Sequence, residues 1–570
     1  MRKSKTLLFL LCVTIFISLL TACRSSANKE DKGDETSLPS EGSQSEGKGS
    51  DKKEIDFSQH KEYTWWTFAD EVDYYSEYSD NPVVWYLNKK FNVTLKFVHP
   101  PKGSESDALS VMMASGEYTD LVNFAQYRGS IAQLCDDGVI IDIAKYLDYM
   151  PNLKALMDKD PDYRKAVYSD DKRIFKVPIL EEQDGNPWGG MVYRADILNA
   201  MTGGKPQFPS GNSEPTTIED WDYMLPLFKQ YFEKAGFKDY AVLIIPYNGF
   251  LPFGELVTGF GAAASYYVED GKVKFGPIQD GFYNYLAKMK EWYEKGYIYK
   301  DFATRVNDPF YLPNPALVYG GAAGIWYGLL GQLGTTMSMP DKGLNMEVKP
   351  LKNPIDTEYG IEKAPSFNPS LKSESAMGPS ITVKCQDVER LLTVLDYLYS
   401  EEGMIVRSYG LMGKDAAENE IYVKAGIPEG AYTVENGEIK MNPKFQEDAK
   451  LKKNEGALWG MRLPGLNSFK YLPGRPIEKE AQNIWAFYND KQKIWRLPFN
   501  LTRTAEEDEK FVANSTKMEE YINTMVQKFI MGAVELNEQT WNQFKEQLKQ
   551  YGLEENISIM QAAYDRYLNR

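Results

Sequence analysis

Thirty-eight Tyr, 27 Phe and 11 Trp make up 13% of this chain, beside only two His. Aromatic side chains offer flat apolar faces with polar edges, on which sugar rings stack well. Proton-shuttling chemistry has far less to work with. His60 and His99 flank the first strand region, which supports neither a Ser-His-Asp triad nor a His-rich metal site. Glu181 and Glu182 are adjacent, so they cannot face each other across a scissile glycosidic bond, which needs carboxylates about 5–10 Å apart. Tyr409 to Asp415 lacks both the spacing and the Ser or Thr of a phosphate-binding loop. Asp158, Asp160 and Asp162 open like a calcium loop, but Tyr163 stands where Gly is required and Ser169 where Glu is required. Binding without catalysis is expected, with no catalytic residue, metal or cofactor. A secreted glycoside hydrolase is the alternative, since it would share the aromatics and the carboxylates.

The elements that must carry these side chains read as α/β. Tyr63 to Phe68 is β-prone, Val83 to Phe91 reads as a helix with Lys89 and Lys90 near its C-terminus, and Val93 to Val98 is a second strand stopped by Pro100-Pro101. A helix over 106–115, ended by Gly116, and a strand over 120–124 follow, so a parallel sheet is expected. Ligands of such sheets collect beyond the strands' carboxyl ends, here Thr67 to Glu71 and Asn123 to Arg128. Tyr266 to Phe275 predicts a hairpin around Asp270-Gly271. The spacing of Phe282, Leu286, Met289 and Tyr293 predicts one buried stripe on a helix over 280–295. Met518 to Ile530 repeats apolar residues at i, i+3 and i+4, which predicts packing between elements, because its flanks are acidic.

At the N-terminus, Arg2, Lys3 and Lys5 precede an apolar run over Thr6 to Leu20, which ends in Leu20-Thr21-Ala22-Cys23. Basic region, apolar region and small-residue site in that order predict a signal peptide over 1–22. The last four residues resemble the bacterial lipobox, which implies lipidation at Cys23. Arg24 to Glu54 holds only Ala27 and Leu38 as aliphatics and no aromatic, so a tether with a reach of about 30 Å is expected. The roughly 510 residues beyond it exceed one hydrophobic core and suffice for two lobes. The formal charge of −16 includes the three basic residues of the signal, and it argues against nucleic-acid partners. Cys12 leaves with the signal, and Cys135 and Cys385 are expected as small unbridged hydrophobes.

Several local stretches share one order. Ala114-Ser115-Gly116-Glu117-Tyr118-Thr119-Asp120, Gly138 to Ile143, Asp171 to Pro178, Tyr193 to Leu198, Pro215 to Trp221, Glu269 to Val273 with Trp292 to Ile298, Phe529 to Gly532 and Ala563 to Tyr567 follow one another over nearly the whole chain. Their order resembles the extracellular solute-binding proteins of carbohydrate ABC importers, particularly LipO-like lipoproteins of Gram-positive bacteria. The resemblance implies an α/β, two-lobed periplasmic-binding-protein-like clamp with hinge crossings near 178–182, 375–381 and 445–465. Lobe 1 is then expected over 58–178 with about 382–450, and lobe 2 over about 179–381 with 451–570, after a lipidated tether over 23–57. A monomer anchored on the extracytoplasmic face of the membrane, a carbohydrate ligand and ABC permease partners are implied. A non-sugar solute is the other binding alternative.

Projected onto this chain, the resemblance nominates Trp66 and Asp70 after the first strand, then Phe124, Tyr127 and Arg128. Beyond the first crossing it points to Glu182, Asn186 and Trp188. Tyr247 and Asn248 follow the apolar run 242–245, Trp326 follows a Gly-Ala stretch, and Trp459 with Arg462 sits in a Gly-flanked loop. Trp66, Trp188, Trp326 and Trp459 are expected at strand ends or in loops, free to stack on sugar. Asp70, Arg128, Glu182 and Arg462 are expected to bond its hydroxyls.

Overall fold

The computed structural model describes residues 54–68, 72–127, 129–182, 187, 189–251, 254–304, 315–330, 346–358, 375–376, 378–454, 458–460, 462–467, 476–486, 496–498 and 500–570. In chain order the elements used below begin with β1 (Lys61–Trp66), α1 (Pro82–Phe91), β2 (Val93–Val98), α2 (Glu105–Ser115), β3 (Leu121–Val122), α3 (Ile131–Asp136), β4 (Ile179–Glu181) and β5 (Gly189–Arg194). Next come α4 (Ile218–Lys234), β6 (Ala241–Leu243), β7 (Tyr266–Glu269), β8 (Lys272–Phe275), α5 (Asp280–Glu294), β9 (Ala323–Leu329), β10 (Val348–Pro350), β11 (Ser375–Ala376) and β12 (Ser380–Ile381). Last are α6 (Val388–Asp396), α7 (Glu401–Tyr409), β13 (Gly465–Asn467), α8 (Ala505–Ile530), α9 (Glu538–Gln550) and α10 (Leu553–Leu568).

The opening β1-α1-β2 unit forms where local chemistry directs it. The Asn81 side chain accepts from the Val83 and Val84 amides, Pro82 fills the first turn, and Asn92 closes the helix in the left-handed conformation. Val83, Val84 and Leu87 face inward. β2 pairs parallel with β1 from Lys61↔Val93 to Trp66↔Val98. β3 lies parallel on the other side of β1, and β12 returns antiparallel to β3, giving the order β12-β3-β1-β2. β3 is shorter than the expected 120–124, because the Asn123 side chain accepts from the Ala125 amide and turns the chain.

A second sheet has the order β10-β5-β9-β6, with β6 parallel to β9 and the other pairs antiparallel. Each sheet has its own core. The first gathers α1, α6, α7 and residues as far as Leu466. The second gathers α4, α5, α8 and α9. In the hairpin, Asp270 and Gly271 both take positive φ, as the turn requires. On α5 the expected stripe is corrected at one position. Trp292 is fully buried, stacks on Trp221 at 6.0 Å and donates through Nε1 to Asp222 at 2.6 Å, while Tyr293 is half-buried. α8 is longer than its apolar stripe, because a capping box between Thr504 and Glu507 starts it at residue 505.

A three-stranded sheet, β11-β4-β13, connects the two bodies. β11 runs antiparallel to β4 and β13 parallel to it. β4 and β11 lie at residues 179–181 and 375–376 and β13 at 465–467, while Leu451, Leu458, Leu463 and Leu466 pack in the first core. Cys135 is half-buried, Cys385 is buried, and both are free. Among the described residues no helix is long and apolar enough to cross a membrane. Residues 1–53, including Cys23, lie outside the described residues.

Candidate ligand-binding site

The carboxyl edge of the first sheet is tied down before it reaches solvent. The Thr67 amide donates to Val98 O and the Asn123 amide to Trp66 O, and the His99 ring, through Nδ1, lies 2.9 Å from Thr67 O. Trp66 and Phe124 do not project from this edge. They are buried with Leu109, Met112, Val122 and Phe175 in a small core under α2 and α3. Tyr127 is half-buried and meets Phe124 edge-on at 5.9 Å. Burial, and then the carboxylates of Asp137 and Asp508, push its phenol up. Asp508 lies on α8, which packs in the second core.

The other nominated residues divide. Trp326 is 1% exposed, in the middle of β9 opposite Val192, which corrects its expected place at a strand end. Glu182 is exposed just past β4, and its amide donates to Asn467 O at 3.1 Å. Tyr247 and Asn248 are half-buried beyond the carboxyl end of β6. The Asn248 side-chain oxygen is buried with no partner among the described residues. Trp459 is half-buried over the start of α1, where its carbonyl accepts from Asn81 Nδ2 at 2.9 Å and its buried Nε1 has no partner among the described residues. Arg462 is exposed nearby. Asp70, Arg128, Asn186 and Trp188 lie outside the described residues.

A cavity of about 430 Å³ opens at the seam. One wall comes from the start of α3 and the 169–175 loop, and the other from residues 502–505 and Arg566. Ser130 caps α3 by accepting from the Gln133 amide. In the loop, Ser169 Oγ bonds Asp171 at 2.6 Å and accepts from the Arg173 amide at 3.0 Å, while Lys172 takes φ of 64° to close the turn. Arg173 then reaches Asp136 and Asp171, both at 2.6 Å, and its guanidinium lies 4.9 Å from the Phe175 ring. Opposite, Arg566 pairs with Glu507 at 2.5 Å and Asp170 at 3.2 Å, and Arg503 pairs with Asp508 at 2.6 Å. Desolvation works to raise the Asp171 carboxyl, but Ser169 and Arg173 outweigh it and hold it below its usual range. The three arginines that line the cavity are all committed to carboxylates. The lining itself sets these three arginines against three aspartates, Asp136, Asp170 and Asp171, so it presents donors and acceptors to hydroxyl groups with no formal net charge.

None of the nominated residues that the structure describes lines this cavity. Arg128 and Tyr127 come nearest in sequence, two and three positions before Ser130. Phe175 fell within a recognised motif, but nothing local marked it as a lining residue. Among the described residues no group of three or more His, Cys, Asp or Glu could hold a metal ion.

Residues 86–311 match the family model of bacterial extracellular solute-binding proteins. The chain is 23% identical over 346 residues to the lipoprotein LipO of Bacillus subtilis, covering 58% of this chain and 62% of LipO. It is 28% identical over 190 residues to the fructooligosaccharide ABC transporter substrate-binding protein FusA of Streptococcus pneumoniae, covering 32% of this chain and 33% of FusA. The chain thus aligns with less than two thirds of either relative. The solved structure of the alginate-binding protein AlgQ2 without calcium ion superposes with a TM-score of 0.67 at 20% identity, over 89% of this chain and 98% of that one. The fold is therefore the two-lobed clamp of solute-binding proteins, α/β with crossings between the lobes. The resemblance drawn from the motifs holds, and this family and its structural neighbours are substrate-binding proteins rather than enzymes.

Proposed function

We propose that this chain is the lipid-anchored substrate-binding component of an ABC importer, and that it captures an uncharged oligosaccharide between its lobes for delivery to membrane permeases. The seam cavity carries the reading: its walls come from both bodies, its polar groups are charge-paired, and its volume falls in the range of small-molecule sites. FusA is a fructooligosaccharide-binding protein and LipO a lipoprotein, which supports the same reading. The lobes are 58–178 with about 382–463, and about 182–374 with 468–570. Trp459 and Asn248, each with a buried polar atom that has no partner among the described residues, join the cavity residues as ligand contacts. Calorimetric titration with neutral and acidic oligosaccharides, followed by mass spectrometry of the products, tests it. Binding of a neutral glycan without cleavage is expected. Silence across the neutral panel overturns the sugar assignment, and cleavage overturns the transport role.

A further inference from the structure

We infer that Asp170 is the positioning residue of a clasp between the lobes, which holds the two walls of the seam cavity in register. Asp170 belongs to the first body, between Val167 and Ile174 of the first core. Its carboxylate is gripped from the second body: Oδ2 accepts from Thr502 Oγ1 at 2.6 Å and from Arg566 Nε at 3.2 Å, and Oδ1 from Arg570 Nε at 2.6 Å.

The neighbouring contacts point the same way. Arg570, with a side chain 2% exposed, also donates to Lys165 O at 3.1 Å, to Asn500 O at 2.9 Å and to Thr502 Oγ1 at 2.9 Å. Asn500 Nδ2 reaches Lys165 O and Ala166 O at 2.7 and 3.1 Å. α10 is fixed to the second body, since Met560 packs with Val268 and Val273 of the hairpin and Gln561 bonds the Val273 amide at 2.7 Å. The clasp is thus a link between the lobes in addition to the three crossings of the hinge sheet.

Two observations single out Asp170 within it. One carboxylate serves two guanidinium groups, one of them nearly fully buried, so removing it leaves a buried cation without its ion-pair partner. Asp170, Thr502 and Arg566 also line the cavity, so the clasp and the cavity walls share residues. Separating the lobes at this seam must break the clasp, and forming it assembles the cavity.

The effect on ligand capture rests on the seam cavity being the ligand site, but the effect on lobe spacing does not. The test is therefore made on the full chain without sugar, by energy transfer between probes at Val111, 68% exposed on the first body, and Glu538, exposed on the second. Wild-type protein is expected to give one short-distance population, Asp170→Asn and Asp170→Ala to shift most molecules to a longer distance, and Asp170→Glu to restore the short one. A folded Asp170→Asn protein with the wild-type distance distribution overturns the inference. Should Asp170→Ala fail to fold, Asp170→Asn and Thr502→Val read the same distance. A sugar panel that finds no ligand leaves this measurement standing.

Discussion

Asp220 is fully buried at the start of α4 and keeps its charge there, because the Ser210, Thr216 and Thr217 amides all donate to it at 2.8–3.0 Å. Desolvation works to raise its carboxyl, and these bonds outweigh it, so the group sits below its ordinary value of 3.8. A depressed carboxyl stabilises the fold above the unfolded value, and that contribution is lost as pH falls through the folded one. Asp220→Asn should lower stability at neutral pH by about 1.5–3 kcal/mol and flatten the acid limb below about pH 4, as read by urea unfolding at several pH values. Trp459 poses the opposite case, a half-buried ring whose indole N–H has no partner among the described residues. Trp459→Ala should weaken glycan binding about tenfold with little change in unfolding midpoint, as read by paired calorimetry and thermal melts. Sequence alone could not separate Trp459 from Trp66 and Trp326. The residue type and the neighbouring loop signals were similar, and only the packing partners put the latter two in cores.

At the scale of elements, the hinge sheet is held by contacts from α7. Arg407 is fully buried and donates through Nε to Leu463 O at 2.9 Å and through Nη1 to Asn467 Oδ1 at 2.7 Å, while Asn467 Nδ2 reaches Glu181 at 2.7 Å. Burial brings its guanidinium down to about 10, so it remains charged at neutral pH. Arg407→Ala should cost about 3 kcal/mol or more and loosen β4 against β13, measured by urea unfolding and by hydrogen exchange over 179–181 and 465–467. Gly378 shows how closely the crossings approach: a Cβ there would fall 1.7 Å from Val177 O. The individual elements were legible in sequence where their ends are local chemistry, as at Gly116 and Asp270-Gly271. The hinge network was not legible, because its bonds join residues 60 and 286 positions apart.

For the whole molecule, anchor, tether and clamp form one device in the proposed reading. The lipid would hold the protein at the membrane, the tether would give the clamp about 30 Å of freedom, and the loaded clamp would dock on the permease. Cys23→Ala should move most of the protein from the membrane fraction to the medium without changing glycan affinity, as followed by fractionation and by labelling with a radioactive fatty acid. Retention in the membrane at the wild-type level would remove the lipid anchor from the proposal.

The chain's local signals determined a signal-like N-terminus, a polar stretch unable to bury a core, and an α/β body whose motif order resembles solute-binding proteins. Those properties are written in neighbouring residues, through caps, turns, periodicity and charge. Tertiary structure decided which aromatics are core and that Asp170 meets Arg566 and Arg570 at the edge of a cavity. The physical reason is separation along the chain. Asp170 and Thr502 lie 332 positions apart, and only two independently packed cores bring them within hydrogen-bonding distance.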